Sequence, residues 1–571
     1  MALCLLVSIT ACQPRDDTKD TAPEPTPVTE KPAPPLPDTL AGSFLISQFA
    51  QRNEDPQKAY THAQIVLDKG GYDPSVLRYA RLSALSAGNI QGALRDNTRL
   101  RAEDRDISFY VLSFFQAYQN KNWDQAASFL PPLAANASYQ SLEPLFRAWL
   151  GVARAADTAP QTQPMSNDVK DAFADGAAGD MAVLSKIQQG YALALLGQPD
   201  AGLGSLRAAF ADLKAMPVSV IITTAALMHQ QNQSIEAGFF LRSGMDADMT
   251  QTALNMAKNG DLPLMTNPLQ GIFYLFQDLA SVFNRPGTED HALMYATLAH
   301  AMMPENPFVT LSLGQILADI GAERQANAVY QRVPATNPLF WVATLYRTHL
   351  TIKQDNTKDA LTLMAPLYDR YPDNITIKSL YADLLKSSLR FSDALPLYDA
   401  LIQASQAAPQ GRFYASRGMC YERLKQWDAG EKDLLKALDL QPQDPLILNY
   451  LAYSWIDRGV NLDRAVALLE KALSLAPNNP EILDSLAWGY HKKGNNDRAL
   501  EGLQKAVALS PDEPVILSHY GDVLWAMGKH RLAGFAWDSA LDIVRSHKKT
   551  NPQKTLDITE EELVEKLRQN P

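Results

Sequence analysis

Cysteine is scarce in this 571-residue sequence, and so are several other features on which common functions depend. Its three cysteines, Cys4, Cys12 and Cys420, are too few for a disulfide framework or a cysteine-based zinc site. No apolar run reaches the ~18 residues that a membrane-spanning helix needs. Positive charge is not in excess, because 52 Lys and Arg stand against 63 Asp and Glu. The net charge of −11 excludes a general electrostatic footprint for nucleic acid or anionic lipid.

The sequence also lacks the motifs of common catalytic and cofactor sites. Its nine histidines include no H-E-x-x-H pair, and there is no G-x-S-x-G elbow, P-loop or G-x-G-x-x-G fingerprint. Ser546 and Lys549 have S-x-x-K spacing, but the companion motifs of that site are missing. We therefore expect no enzyme activity, no catalytic residue, no metal site and no cofactor. A repeat protein can bring distant residues together, so an enzyme is unsupported rather than excluded.

The N-terminus carries a short apolar stretch from Leu3 that ends in Ala11 before Cys12. This arrangement resembles the bacterial lipobox, in which the leader is removed and the cysteine is lipidated. The resemblance implies a signal peptide over residues 1–11 and a lipid on Cys12. Because Gln13 rather than Asp follows, it also implies the periplasmic side of the outer membrane. One departure is that no Lys or Arg precedes Cys12, whereas secretory leaders normally begin with positive charge. If the lipobox is a coincidence, the alternative location is the cytoplasm.

Residues 12–38 are predicted to form a disordered tether behind the lipidated cysteine. Eight prolines lie between residues 13 and 38, and large apolar side chains are almost absent. Such a composition cannot bury enough surface to offset the entropy of ordering. Proline-rich segments favour extended polyproline II at ~3.1 Å per residue, so the tether would reach roughly 80 Å.

A period of 34 or 35 residues runs through the C-terminal third of the chain. Ala437, Ala472, Ala506 and Ala540 keep this spacing, and a glycine and a proline keep it in successive repeats. The repeat that starts at Pro445 carries one extra residue, which is expected in its inter-helix turn at Val460-Asn461. The proline ends a helix because it lacks a donor and clashes with the preceding turn. The pattern resembles the tetratricopeptide repeat (TPR), a helix–turn–helix unit of about 34 residues. The resemblance implies an all-α fold, a right-handed superhelical solenoid in which neighbouring TPR repeats share one core.

The match to this family changes along the chain. Four clear repeats occupy residues 411–547, moderately regular repeats occupy 291–410, and degenerate TPR-like repeats occupy 39–290, with a hinge expected near 260–290. Residues 548–571 form a polar tail. Within it, Thr559 and Glu562 have the spacing of a capping box. A short helix over 556–569 is therefore expected, either docked on the last repeat or frayed.

In the TPR family, the first helix of each repeat lines a concave groove with residues at fixed positions. In the repeats that start at Pro445, Pro480 and Pro514, these positions hold Asn449, Tyr453, Asp484, Trp488, His491, Ser518, Asp522 and Trp525. Exposed aromatic side chains beside polar groups are typical of interface hot spots. Packing between repeats is the alternative for Trp488 and Trp525, whereas Trp455 and Trp537 fall at core positions. The two aspartates would repel a carboxylate, so the groove suits a helix, loop or basic segment of another protein.

The clear first helices also resemble those of a set of Gram-negative TPR proteins in the sequences L-N-Y-L-A-Y-S-W, L-D-S-L-A-W-G-Y and G-D-V-L-W. Several of that set are outer-membrane lipoproteins, and one group is an adaptor for a periplasmic carboxy-terminal processing protease. The resemblance implies a lipid-anchored scaffold for other envelope proteins, which touches the membrane through its lipid alone and binds no nucleic acid. The alternatives are a pilotin-like assembly factor, and an enzyme accessory whose 154–290 region binds a glycan or small ligand.

Overall fold

A computed structural model of the protein describes residues 39–52, 55–137, 139–158, 165–176, 181–211, 218–231, 233–262, 265–550 and 558–568. Within these ranges every regular element is a helix, which confirms the predicted all-α fold. No helix in the described ranges is both long enough and apolar enough to cross a membrane. The predicted signal peptide, Cys12 and the predicted tether lie outside the described residues.

The chain divides after Tyr346 into two compact units. The helices of the first unit are α1 (Leu40–Arg52), α2 (Pro56–Gly70), α3 (Pro74–Ser86), α4 (Ile90–Thr98), α5 (Ile107–Gln119), α6 (Trp123–Ser128), α7 (Leu130–Ala134), α8 (Glu143–Thr158), α9 (Asn167–Asp175), α10 (Ala182–Leu195), α11 (Pro199–Ala211), α12 (Val218–Gln230), α13 (Ser234–Gly244), α14 (Ala247–Asn259), α15 (Pro268–Phe283), α16 (Glu289–Met302), α17 (Pro307–Asp319) and α18 (Glu323–Tyr330). The boundary falls within α19 (Phe340–Lys353).

The core of the first unit is built around α15 and α16. α15 packs against α8 and α10, and α16 packs against α3 and α4, all of which lie much earlier in the chain. Phe276 of α15 contacts Phe115 and Phe146 with ring centroids 6.0 and 6.1 Å apart. A Cβ atom at Gly271 would overlap the Trp149 ring, so glycine lets α8 and α15 approach closely. Helices that are distant in sequence therefore share one core in this unit.

A chain of buried polar groups joins three of these helices. Nε1 of Trp149 on α8 donates to Oε1 of Gln188 on α10 at 2.9 Å. Nε2 of Gln188 then donates to Oδ2 of Asp278 on α15 at 2.7 Å. All three residues are buried. Because an unpaired polar group in a core is costly, these bonds fix how α8, α10 and α15 pack.

The structure corrects the hinge that the sequence predicted near 260–290. That interval contains α15, in which Phe273, Leu275 and Leu279 are fully buried. Residues 271–280 of this helix are buried on every side, so it lacks the exposed face of a surface repeat helix, which explains why the period disappears here. The boundary between the compact units lies at Tyr346 instead.

The second unit continues as a regular series of helix pairs. Its helices are α20 (Thr357–Arg370), α21 (Ile375–Ser387), α22 (Phe391–Ala404), α23 (Gly411–Arg423), α24 (Trp427–Leu440), α25 (Pro445–Asp457), α26 (Leu462–Leu475), α27 (Pro480–Lys492), α28 (Asn496–Leu509), α29 (Pro514–Ala526), α30 (His530–Thr550) and α31 (Glu560–Arg568). The four repeats predicted over 411–547 correspond to the pairs α23/α24, α25/α26, α27/α28 and α29/α30. Each of these pairs packs on the next.

Local sequence explains where these helices begin and end. Proline occupies the first turn of α25, α27 and α29, where its missing N–H is not needed. Asn479 caps α27 by accepting from the backbone N–H of Ile482 at 2.9 Å. After α27, Gly494 has φ 79°, a left-handed conformation that favours glycine. The extra residue predicted in one repeat lies in the α25–α26 turn, where Asn461 also has a positive φ of 51°.

Small and large residues alternate where the helices of a repeat meet. A Cβ atom at Gly521 would overlap the indole of Trp537, so this position requires glycine. Trp455 and Trp537 are 1% and 4% exposed, which confirms the prediction that both belong to the core. The apolar cluster that contains Trp455 extends over residues 434–490. The core of this unit is thus shared between neighbouring repeats.

The C-terminal helix α31 is docked on the last repeat, one of the two predicted alternatives. Its Leu563 is fully buried in a cluster with Trp537, Leu541 and Val544. The capping box forms as predicted, since the N–H of Thr559 donates to Oε2 of Glu562 at 2.8 Å and the N–H of Glu562 donates to Oγ1 of Thr559 at 3.2 Å. The helix begins at Glu560, four residues later than predicted.

Candidate partner-binding surface

The predicted groove residues occupy equivalent places on three first helices, α25, α27 and α29. The fifth positions hold Asn449, Asp484 and Ser518, the ninth hold Tyr453, Trp488 and Asp522, and the twelfth hold His491 and Trp525. Positions three or four residues apart lie on one side of a helix. We call this surface, made by these eight residues, the first-helix face.

Asp484 and Trp488 of α27 both contact His519 of the following first helix. Nδ1 of His519 lies 2.9 and 3.0 Å from the two carboxylate oxygens of Asp484. The imidazole ring also stacks on the Trp488 indole, with centroids 4.3 Å apart and an interplanar angle of 13°. Asp484 is only 6% exposed, and a buried carboxylate needs such a partner. Its charge is therefore directed to the neighbouring repeat.

Trp488 and Trp525 are half-buried, so part of each ring remains on the surface. Trp488 is flanked on its other side by His491, with ring centroids 4.8 Å apart. Trp525 stacks on His530 with centroids 3.9 Å apart. Both indoles also pack at the edge of an apolar cluster. Each ring thus packs between helices and also keeps an accessible part, and its contact with a partner protein stays a prediction.

Ser518 and Asp522 are in contact with α31 of the same chain. Nζ of Lys566 donates to Oγ of Ser518 at 2.8 Å and to the two carboxylate oxygens of Asp522 at 2.8 and 2.6 Å. Asp522 also accepts from Nε1 of Trp537 at 3.1 Å. Ser518 is 1% exposed. The acidic end of the predicted groove is therefore already occupied by a basic side chain, which differs from the open surface that the sequence predicted.

Asn449, Tyr453 and His491 are partly exposed. Oδ1 of Asn449 is buried and has no hydrogen-bond partner among the described residues. Nδ1 of His491 lies 2.8 Å from Oδ1 of Asn496, the first residue of α28. Next to Asn449, the hydroxyl of Tyr450 donates to Glu422 at 3.0 Å, and burial raises the pKa of Tyr450. The predicted residues at this end of the first-helix face are thus an amide, a phenol and an imidazole, whereas Asp484 and Asp522 are carboxylates.

Sequence analysis missed His519 and Lys566, which complete the contacts of this face. His519 stands 35 residues after Asp484, one repeat plus one residue. A search for charge pairs at that separation would have found it. Lys566 lies beyond the last clear repeat and outside its period, so no spacing in the sequence indicated it.

The first-helix face offers accessible aromatic rings bordered by polar groups. That combination is typical of the central residues of protein interfaces. Among the residues that the structure describes, no group of three or more His, Cys, Asp and Glu side chains is placed to hold a metal ion.

Comparison with known proteins identifies the repeats. Residues 346–545 match the family model described as tetratricopeptide repeat. A search of curated proteins gave no significant match.

Three solved structures illustrate the likeness of the fold. A tetratricopeptide repeat protein from Parabacteroides merdae is 19% identical and covers 46% of this chain and 97% of its own, with a TM-score of 0.39. The Cut9–Hcn1 hetero-tetramer of APC/C gives 14% identity, covers 93% of this chain and 96% of that chain, and has a TM-score of 0.38. A MamA protein gives 18% identity, coverage of 31% and 95%, and a TM-score of 0.25. The family match alone identifies residues 346–545 as tetratricopeptide repeats, an architecture whose stacked helix pairs form extended binding surfaces.

Proposed function

We propose that this protein is a lipid-anchored, periplasm-facing scaffold for other cell-envelope proteins, and most concretely an adaptor for a periplasmic protease. In this proposal a lipid on Cys12 holds the chain to the outer membrane, and the proline-rich tether carries the repeats away from it. The repeats bind a protease and its protein substrate at the same time. The protein itself supplies no catalytic residue, metal or cofactor.

The observation that carries the proposal is the pair of half-exposed indoles, Trp488 and Trp525, on the first-helix face of a TPR array. Tryptophan is enriched among interface hot spots, where truncation to alanine typically costs 2 kcal/mol or more. A loss of about 2 kcal/mol corresponds to roughly thirtyfold in affinity. Two such residues on neighbouring repeats are therefore placed to form the central contacts with a partner protein.

The scaffold is tested by affinity purification from crosslinked cell envelopes. The double variant Trp488→Ala/Trp525→Ala should capture at least about tenfold less partner than the unchanged protein, since it lacks both indoles. The matched control is Phe535→Ala, which removes a 57% exposed aromatic residue from a second helix, α30. Equal capture by all three proteins would remove the first-helix face from the proposal. A much lower melting temperature of the double variant would instead assign the two indoles to the core.

The anchor has a test of its own. The Cys12→Ser variant should move from the membrane fraction to the soluble fraction while its circular dichroism spectrum stays helical. Two or three acyl chains at ~0.8 kcal/mol per buried methylene give stable attachment, and an acidic chain offers no electrostatic substitute. Unchanged membrane association of the variant would show that Cys12 is not the anchor.

The identity of the captured protein separates the adaptor from a pilotin-like assembly factor. An adaptor should be purified with a processing protease and should accelerate cleavage of a co-purified cell-wall hydrolase. An assembly factor should instead be purified with the subunit of an outer-membrane complex, and its loss should reduce assembly of that complex.

One feature of the first unit favours the third alternative, ligand binding. An open cleft of about 620 Å³ lies beside the ends of α14 and α16, where Met302, Met303 and Phe308 provide apolar walls and Asp261, Gln270 and Glu305 provide polar groups. Saturable binding of a cell-wall glycan fragment to the full chain, weakened by Gln270→Ala, would support this alternative over the scaffold.

A further inference from the structure

α31 occupies the place that the first helix of a further repeat would take. The third and fourth positions of the first helices hold pairs of buried apolar residues, Ile447-Leu448, Ile482-Leu483 and Ile516-Leu517. In α31, Leu563 and Val564 form a similar apolar pair at the fourth and fifth positions, in which Leu563 is fully buried against α29 and α30 and Val564 is partly buried. The helix therefore continues the stacking of the array, although it lies outside the sequence period.

The polar contacts follow the same rule. In the internal junction, His519 lies two positions after its apolar pair and contacts Asp484 and Trp488, at the fifth and ninth positions of the preceding first helix. In the terminal junction, Lys566 lies two positions after Leu563-Val564. It contacts Ser518 and Asp522, at the fifth and ninth positions of α29. Two junctions with different residues thus share one arrangement, two apolar residues followed two positions later by a cationic or imidazole side chain.

We expect the docking of α31 to be reversible, because the helix is short. It has nine residues, and helices shorter than ~12–15 residues are marginal in water on their own. No second helix of its own packs behind it in the described residues, and Glu561, Glu562 and Glu565 remain exposed. Its position is held by Leu563, by the partly buried Ile558, Val564 and Leu567 in the same apolar cluster, by Lys566, and by an exposed ion pair of Glu560 with Arg545 at 2.9 Å and Lys548 at 3.6 Å. A short helix held by side-chain contacts of this kind can be displaced by a competitor with the same side chains.

We propose that the end of the last repeat is a docking surface for a helix of another protein, and that α31 closes this surface until such a helix displaces it. The surface, which we call the terminal surface, is formed by Leu517, Ser518, Asp522, Leu541 and Val544. Its occupant is an amphipathic helix with two adjacent apolar residues and, two positions later, a lysine or histidine. The inference rests on the proposed function, because the terminal surface is one end of the same first-helix face.

The charge of Asp522 distinguishes between competing helices that have the same apolar residues. Asp522 is 21% exposed in its side chain and pairs with Lys566 on α31. A competitor with an acidic residue in place of this lysine would bring two carboxylates together in a partly buried site. The terminal surface therefore selects a lysine or histidine at this position of the helix, and this contact should weaken as salt screens the pair.

The test uses the full chain and a fluorescent synthetic peptide with the sequence of residues 557–569. In the Leu563→Asp variant, the buried anchor is replaced by a charge and α31 should leave the surface. The peptide should then bind this variant at least tenfold tighter than the unchanged protein, in which α31 competes at a high effective concentration. Hydrogen exchange should show lost protection in α31 and retained protection in α25–α28, which verifies that the repeats stay folded.

Matched controls identify the contacts that matter. Glu561→Gln changes an exposed residue of the same helix and should leave peptide binding as weak as in the unchanged protein. A peptide carrying Lys566→Glu should bind the Leu563→Asp variant at least tenfold more weakly than the original peptide. Adding Asp522→Asn to that variant should reduce the difference between the two peptides, because residue 566 then faces no carboxylate.

Three results would overturn the proposal: no peptide binding to the Leu563→Asp variant, equal binding to both proteins, or retained protection of α31. If the variant formed dimers and did not bind the peptide, the terminal surface would be an interface with a second copy of this chain. This result would also overturn the proposal. None of these measurements needs an envelope protein, so they are independent of the partner-capture experiment. If the Trp488 and Trp525 variant captured as much partner as the unchanged protein while the peptide still bound, the proposed function would be wrong and this inference would be supported.

Discussion

The two units of this protein are built from similar helix pairs, but they are held together in different ways. In the first unit, groups far apart in sequence meet. Oγ1 of Thr297 donates to the carbonyl of Leu85 at 3.4 Å, and the hydroxyl of Tyr118 donates to the carbonyl of Pro268 at 3.1 Å. In the second unit, each apolar cluster joins neighbouring repeats, as in the cluster around Leu503, which extends over residues 473–527. The first core is shared by the whole unit, and the second is a series of local cores.

This difference explains why one unit shows a sequence period and the other does not. Where every repeat contacts its neighbours in the same way, the same positions need glycine, alanine and large apolar residues in each repeat. Where each helix meets a different partner, each needs its own side chains, and the common pattern is lost. Gly271 is an example, because its small size serves Trp149 of one particular helix. Loss of a period therefore reports a change in the contacts between helices, with helix pairs retained.

The largest expected effect comes from breaking the shared core of the first unit. Trp149→Ala should lower the free energy of unfolding by ~3–5 kcal/mol for the lost side chain. The variant also leaves Oε1 of Gln188 without its hydrogen-bond donor, which should lower the free energy of unfolding by about 1–3 kcal/mol more, the usual cost of an unpaired buried group. Hydrogen exchange should accelerate in α10 and α15 as well as in α8, because Trp149 touches all three.

The matched control for this prediction is Trp123→Ala. Trp123 is partly exposed and its Nε1 donates to the surface residue Asp157 at 2.9 Å, so its loss should have a much smaller effect. If exchange in the Trp149→Ala variant accelerated in α8 alone, the first unit would behave as a series of local cores, and the comparison would fail.

In the second unit, an equally large side chain should have a local effect. Trp537→Ala should cost ~3–5 kcal/mol, which is measured by hydrogen exchange resolved along the chain. Faster exchange should be centred on α29, α30 and α31, which supply the buried residues of its cluster, and should reach no further than α28, whose Leu500 and Val507 pack against it. Phe535→Ala on the same helix is the control, and its stability should be close to that of the unchanged protein because the ring is 57% exposed. Acceleration that extends to α23 would contradict local cores.

The sequence predicted the second unit better than the first. In the second unit, the period located the helix pairs, the extra turn residue at Asn461 and the buried Trp455 and Trp537, because identical contacts leave identical residues. In the first unit, neither the central place of α15 nor its bonds to α8 and α10 could be predicted, since they depend on helix packing that no spacing records. At the candidate site, the sequence predicted which residues lie on the first-helix face, but it did not predict which side chains contact them. Asp522 was recognised as a groove residue, but its pairing with Lys566 depends on where α31 docks.

A buried histidine offers a pH-dependent way to separate the two units. His300 in the first unit is 8% exposed, and burial, with a further contribution from Arg332, lowers its pKa below 6.5. The unfolded chain then binds a proton that the folded unit resists, so the free energy of unfolding falls as the pH drops from about 6.5 toward the lowered pKa. Because a single proton is involved, the loss should be smaller than that caused by truncating a core tryptophan.

Urea unfolding of the first unit, measured between about pH 7.5 and 5.5, should show this loss, and His300→Gln should remove its share of the slope. His229→Gln, a partly exposed position in α12, is the control and should keep the slope of the unchanged protein. An unaltered slope in His300→Gln would assign the pH dependence to other groups.

The smallest expected effect comes from removing the N-cap of one helix in the second unit. Asn479 caps α27 through a 2.9 Å bond to the N–H of Ile482, and loss of such a cap costs about 1 kcal/mol. Asn479→Ala should therefore accelerate exchange in the first turn of α27, whereas Asn479→Asp should preserve protection because a carboxylate caps equally well. Gln426→Ala is the matched control, since Gln426 precedes α24 without a side-chain cap. Because the cores are local, the effect should not pass beyond the repeats that flank α27. A response of Gln426→Ala equal to that of Asn479→Ala would show that backbone propensity, and not the cap, sets the stability of these helix starts.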